Sequence, residues 1–249
     1  MEPLKISAVS YLNTFPFVYG LRESGLLENF SLQLDVPSVC ASKLKSGAVD
    51  IALVPVGAII DFEFVRFVSD YCIGANNEVR TVLLLSHKPL EQISRIHLDF
   101  DSRTSVMLVR VLAASFWKIT PEWENTRFTQ EIFDDHEAVV AIGDKTFELA
   151  DKYAFRYDLA AEWIRFTSLP FVFAAWLSVK EQPQERIADL NRALSFGINH
   201  LKETLFYFKD KLPTSFEDAL SYLENNISYQ LDLSKKKGLE KFLQLQQKL

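Results

Sequence analysis

The sequence predicts an α/β protein of two lobes with a ligand cleft between them, and three observations carry that prediction. A strand–turn–helix unit opens the chain at Ile6 to Leu21 (ISAVSYLNTFPFVYGL), and the same grammar returns at Arg95 to Trp117. The run Arg80 to Ser86 (RTVLLLS), almost wholly apolar, separates the two units. A second apolar run, Leu169 to Val179 (LPFVFAAWLSV), leads out of the second. Apolar runs without alternation suit strands covered on both faces. Two lobes joined by two crossing strands follow, with residues 1–86 and 178–249 expected in the first lobe and 87–177 in the second.

Each element has a local reason. In the opening unit, Ile6, Ala8 and Val9 lean towards a strand, and Ser10, Asn13 and Thr14 form a polar turn. Pro16 suits the first turn of a helix, where its missing N–H removes no bond, and Gly20 and Gly25 loosen and stop that helix. Phe30 to Val36 alternates as a half-buried strand does; Pro37 ends it, and Ser38 is placed to cap a helix that stops at Gly47. Asp50 to Val56 and Phe64 to Tyr71 read as further strands. In the second unit, RIHLDF is a strand, DSRTS a polar turn, and Val106 to Trp117 a helix with apolar residues at 106, 109, 112 and 116. After the Trp123 region, AVVAI at 138–142 is a strand, and Gly143-Asp144 leads into a helix. The remainder predicts helices at about 184–209, 215–224 and 234–248, folded back on the first lobe.

Composition narrows the function. With 48% hydrophobic and 13% aromatic residues, the 249-residue chain is long and apolar enough for a substantial core. A net charge of −6 argues against a general nucleic-acid binder but leaves a small anion open, since such a ligand feels its pocket rather than the summed charge. Cys40 and Cys72 make neither a disulfide framework nor a metal cluster and read as two ordinary thiols. The start, MEPLKIS, lacks the basic and apolar regions of a secretion signal, and no apolar run approaches the roughly 20 residues of a membrane span. The expected compartment is therefore the cytoplasm, without a membrane or nucleic-acid partner, the chain acting as a monomer or homodimer.

Candidate site residues sit in the polar turns. At the carboxyl ends of strands in open α/β sheets, bare N–H groups and helix dipoles favour anions. Ser10 and Asn13 occupy one such turn, where Asn13 serves equally well as a helix cap. Ser102, Thr104 and Ser105 crowd the other, where one hydroxyl is needed as a cap in any case. Asp144 follows a strand and is placed either to cap its own helix or to reach a ligand. Arg80 and Arg103 are the cations nearest the turns, positioned to pair with a carboxylate or to stand exposed. Asp134, Asp135 and Glu137 form a loop-like run that reads as solvent-facing. No glycine-rich phosphate loop, HExxH, GxSxG or CxxC occurs; the histidines at 87, 97, 136 and 200 are scattered, and no spacing suggests a metal site.

Five segments occur together and in order: SYLN at 10–13 with Pro16 and Gly20, DIALVPVGAI at 50–59, RTSV at 103–106, IGD at 142–144 and LPFVFAAW at 169–176. This set resembles the menaquinone-biosynthesis family of the futalosine pathway, over roughly residues 4–178. The resemblance implies a type II periplasmic-binding-protein-like fold used as a cytoplasmic enzyme without a cofactor. The activity it implies is a hydro-lyase reaction, removing water from the small dianion chorismate to give 3-(1-carboxyvinyloxy)benzoate. It places Ser10, Asn13, Thr81, Thr104 and Ser105 in the site, Asn13 as the catalytic group. The naphthoate synthase of the same pathway and a non-catalytic solute-binding protein are the competing readings; the SYLN opening favours the dehydratase.

Overall fold

In the computed structural model, which describes residues 2–99, 102–126 and 137–249, the opening unit forms as β1 (Leu4–Val9) and α1 (Phe15–Glu23) joined by one tight turn. There follow β2 (Phe30–Asp35), α2 (Pro37–Ser46), β3 (Ile51–Pro55), β4 (Arg66–Ala75) and β5 (Val82–Ser86). The second unit is β6 (Arg95–Asp99) and α3 (Arg103–Leu112), then β7 (Glu122–Thr126), β8 (Ala138–Ile142), α4 (Thr146–Leu149), β9 (Phe155–Asp158) and α5 (Leu159–Thr167). The chain closes with β10 (Phe171–Ser178), α6 (Gln184–Asn199), α7 (Leu201–Tyr207), α8 (Phe216–Asn225), β11 (Ser228–Gln230) and α9 (Leu233–Gln246).

Two sheets result, ordered β11-β4-β10-β3-β1-β2 and β7-β6-β8-β5-β9. In the first, β1 runs parallel to β2 and β3, while β10 runs antiparallel to β3 and β4. In the second, β6 is parallel to β7 and β8, and β5 is antiparallel to β8 and β9. Every residue of β3, β5 and β8 is buried, as strands covered on both faces require.

The chain changes sheets between Ala75 and Val82 and returns between Thr167 and Phe171, which moves two strands from where the sequence placed them. β5 belongs to the second sheet and β10 to the first. An all-apolar strand reads the same in any covered sheet, so periodicity does not say which one receives it. The first crossing is pinned by Asp158, whose carboxylate accepts N–H groups from Val79 and Arg80 as well as from Ala160 and Ala161 at the start of α5.

Other expectations shift locally. α3 starts at Arg103, three residues earlier than its apolar spacing suggested, because Ser102 caps it through the Ser105 N–H, and its last turn widens over Ala113–Trp117. Ser38 does not cap α2; Pro37 occupies the first turn there, and Gly47 ends the helix at a φ of 74° as expected. β7, β9, α5 and β11 are additions to the predicted elements. Asp134, Asp135 and His136 lie outside the described residues, whereas Glu137 is not simply solvent-facing: it bonds Lys88 and Ser94, which hold its carboxyl down at about 2. Both thiols are free and buried, and burial pushes Cys40 up to about 11 and Cys72 up to about 12. Among the described residues no helix is long and apolar enough to cross a membrane, and no group of three or more His, Cys, Asp or Glu is placed to hold a metal ion.

Gly20 does not stop α1 but lets it pack on α6. A Cβ at Gly20 would lie 1.9 Å from the Ala193 carbonyl oxygen, and one at Gly197 would lie 1.7 Å from that of Pro16. Two backbones in contact leave no room for even a methyl group. Gly197→Ala is therefore expected to cost about 3 kcal/mol through overpacking, read as a lowered urea midpoint at unchanged slope.

Candidate functional site

The carboxyl end of β1 sets one wall of the cleft. After Val9 the chain turns through a single 3₁₀ turn, Leu12–Thr14, into α1, so Tyr11, Asn13 and Thr14 face the space between the sheets. The opposite wall is the amino end of α3, with Ser102, Thr104 and Ser105, together with Ile142 and Gly143 after β8. Pro55 from β3, Thr81 from the first crossing, and Phe173 and Ala174 from β10 complete a half-open cavity, with about 600 Å³ of empty space when the adjoining solvent is included. Its walls are mostly apolar, with hydroxyls and one carboxamide as the polar groups, and no Asp, Glu, His, Lys or Arg is among the described residues lining it.

Thr104 fastens the two walls together. Its buried hydroxyl accepts the Gly57 N–H at 3.1 Å and donates to the Phe173 carbonyl at 3.0 Å. A Cβ on Gly57 would lie 2.7 Å from the Thr104 Cα, so only glycine permits this approach. Ser105 receives the Ser102 hydroxyl hydrogen at 2.7 Å, which leaves its own hydrogen available to a ligand. The first-turn N–H groups of α3 and the helix dipole make this wall electropositive without any charged side chain.

Asn13 is held from several sides. Its Oδ1 accepts the Thr14 hydroxyl at 3.0 Å, and its backbone carbonyl accepts the Tyr229 hydroxyl at 3.0 Å. It makes no side-chain cap for the turn or for α1, so the capping role open to it in the sequence is not the one it fills. Thr81 is buried, its hydroxyl shared with Tyr222 at 2.8 Å and Val79 at 3.4 Å.

The remaining candidates are placed elsewhere. Ser10 is exposed between two cavity-lining neighbours, Val9 and Tyr11, as the alternation of an extended chain dictates. Arg103 points outward and pairs with Asp61 at 3.0 Å; one position along a helix turns a side chain by about 100° away from Thr104. Arg80, at a φ of 62°, pairs with Asp218 at 3.1 Å in a separate polar recess. Asp144 neither caps its own helix nor lines the cavity. Its carboxylate accepts the Leu12 N–H at 3.2 and 3.3 Å, joining the second lobe to the turn that carries Asn13. Beside it Gly143, at a φ of 66°, lies against the Tyr11 ring. The residues that sequence reasoning missed, Tyr222 and Tyr229, lie in the C-terminal third and carry no local motif.

Comparison with known proteins agrees with this architecture. A family model described as Menaquinone biosynthesis matches residues 4–248. A protein of Thermus thermophilus named chorismate dehydratase is 26% identical over 223 residues, covering 82% of this chain and 80% of its own. Among solved structures, a protein from Archaeoglobus fulgidus superposes with a TM-score of 0.78 at 14% identity, covering 99% of this chain and 97% of that one. A Candida albicans protein, described as having the generic periplasmic binding protein fold, gives 0.70 at 15% identity over 100% and 91%. The fold is thus the two-lobed binding-protein one.

Burial raises Asp144 from its ordinary 3.8 to about 6, with the Leu12 N–H working against the rise. A carboxyl whose folded value lies above its unfolded one favours folding only while protonated, so this contribution is lost as pH climbs from about 4 to 6. Asp144→Asn keeps an oxygen for Leu12 and removes the charge. It is expected to match the parent at pH 3.5 and to exceed it by about 2 kcal/mol at pH 7 in urea unfolding. A variant less stable at pH 7 would contradict this account.

Proposed function

Since the chain belongs to the menaquinone-biosynthesis family, we propose that it is a chorismate dehydratase, a hydro-lyase that converts chorismate to 3-(1-carboxyvinyloxy)benzoate and water. The single observation that carries the reading is the cavity: an apolar chamber whose polar groups are neutral donors set at two helix starts. Chorismate is a dianion. One carboxylate is suited to the amino end of α3, where the Ser105 hydroxyl and the first-turn N–H groups converge. The ring fits against Phe173, Pro55 and Ile142. The named Thermus thermophilus relative supports the same substrate.

The chemistry asks little of a protein acid or base. The C3–H bond breaks, its electron pair forms the C3=C4 double bond, and the C4–O bond breaks as hydroxide leaves and takes up a proton. The product ring is aromatic, which drives the step, so the protein's part is orientation. With no carboxylate, histidine or lysine among the described lining residues, the enolpyruvyl carboxylate of the substrate is the group that takes the C3 proton. Asn13 donates a hydrogen bond to the departing C4 oxygen from a preorganised position. The protein acts on a small anion in the cytoplasm, with no cofactor for the elimination.

Incubation of the purified protein with chorismate, followed by chromatography with mass detection, is expected to give a species lighter by one water with a benzoate spectrum. Unchanged chorismate would overturn the assignment. Asn13→Ala is expected to lower kcat by about 100-fold, the scale of a lost oxyanion donor. Chorismate esterified only at the enolpyruvyl carboxyl is expected to bind without turning over. Its dehydration at the normal rate would place the base on the protein.

A further inference from the structure

The dehydratase reading leaves unexplained why two buried phenols from the far end of the chain reach the Asn13 turn. Tyr229 of β11 is a buried side chain, 7% exposed, whose hydroxyl donates to the Asn13 carbonyl at 3.0 Å, across 216 residues of sequence. Its ring packs edge-on against Phe17 of α1 at 5.2 Å, so the turn and the helix it starts are gripped by one residue. Tyr222 of α8, 1% exposed, exchanges a hydrogen bond with Thr81 at 2.8 Å. The Asn13 side chain lies beside that phenol, and the Tyr222 ring meets Phe147 edge-on at 5.4 Å. Burial raises both phenols, so they stay neutral across the working pH range.

We infer that Tyr229 and Tyr222 are positioning residues for the reaction: Tyr229 fixes the backbone of Asn13, and Tyr222, bonded to Thr81 at the lobe crossing, walls in its carboxamide. The Asn13 amide has two ends. Thr14 claims the oxygen, and Asn13 lines the cavity, so the nitrogen is the end left to donate to a ligand. Thr14 therefore sets which way the amide points, and the phenols hold it there. An amide free to rotate would present its oxygen to the departing oxygen of the substrate half the time and would repel it. Positioning of this kind acts on kcat more than on KM, because it matters where charge develops. Thr81, placed in the site by sequence, is on this account a partner of Tyr222 that meets the ligand with its carbon face.

This inference rests on the dehydratase reading for its kinetic arm only. Tyr229→Phe and Tyr222→Phe each remove one oxygen and keep the ring contacts with Phe17 and Phe147. Each is expected to lower kcat on chorismate about tenfold with KM within about twofold, the loss expected for one orienting hydrogen bond. Independently of substrate, exchange of the Asn13 side-chain amide hydrogens, followed by nitrogen-15 NMR and assigned by their loss in Asn13→Ala, is expected to be about tenfold faster in both variants. Unchanged kcat in both variants overturns the inference. So does a lowered kcat with Asn13 amide exchange as slow as in the parent, which would mark a structural role elsewhere. If the parent protein does not consume chorismate, the dehydratase reading fails by itself, and amide exchange alone decides the positioning. Should one variant fail to fold, the other carries both readouts.

Discussion

The whole site hangs on the contact between Gly57 and the amino end of α3. There the backbone of one lobe lies against that of the other, closer than any side chain allows, and the Thr104 hydroxyl bonds both Gly57 and Phe173. Gln246 of α9 adds a third anchor by donating to the Gly57 carbonyl at 2.8 Å. A hydroxyl that accepts one bond and donates another, with its partners on the strand-end turn after β3 and on β10, fixes three elements at once. The Cβ that glycine lacks is the space this arrangement uses. Five stretches that are far apart in sequence, SYLN, VPVG, RTSV, IGD and FVFAA, meet around this point as the walls of one cavity.

Closure of that kind bears on how the proposed dianion would be held without a cation. In an apolar chamber a bare carboxylate is costly to bury, and a paired lysine or arginine would itself need desolvation. Fixed dipoles avoid the second cost. The first turn of α3 is fixed by the helix and its Ser102 cap, and the hydroxyls of Ser102 and Ser105 are ordered by one another. Arg80 and Arg103, the cations that flank these turns in sequence, are directed away from the cavity and neutralised by Asp218 and Asp61. With those charges paired outside it, the cavity offers neutral donors alone, an arrangement that suits the proposed elimination.

The sequence made much of this legible, for reasons that can be named. Covered strands such as AVVAI and RTVLLLS announce themselves through unbroken apolar runs, and Asn13, Thr104 and Ser105 through their place at strand ends. What stayed hidden depends on direction or distance. Ser10 is one residue from the cavity and points out of it; the pleat decided that, and the turn composition did not show it. The sheet that takes β5 and β10 is invisible in strands with no polar face. Asp144 looked like a cap because carboxylates before a helix usually are one, yet the Leu12 N–H, 132 residues away, claims it. β9, with four residues, and β11, with three, mix half-buried and exposed positions and are too short for any period to emerge.

The C-terminal third marks the deepest limit of local reading and also gives it meaning. As sequence it is amphipathic helix with nothing that names a function. As structure it adds β11 to the edge of the first sheet, against β4, and delivers Tyr222 and Tyr229 beneath the first turn of the chain. The turn that carries Asn13 therefore takes its final geometry from residues more than 200 positions later. Such contacts are slow to form, since the loop entropy must be met before any bond compensates for it. The two phenols beneath the Asn13 turn both come from beyond residue 221. On the proposed reaction, restraint of a single carboxamide is what would turn a ligand-binding fold to one elimination. The last elements of the sequence supply that restraint.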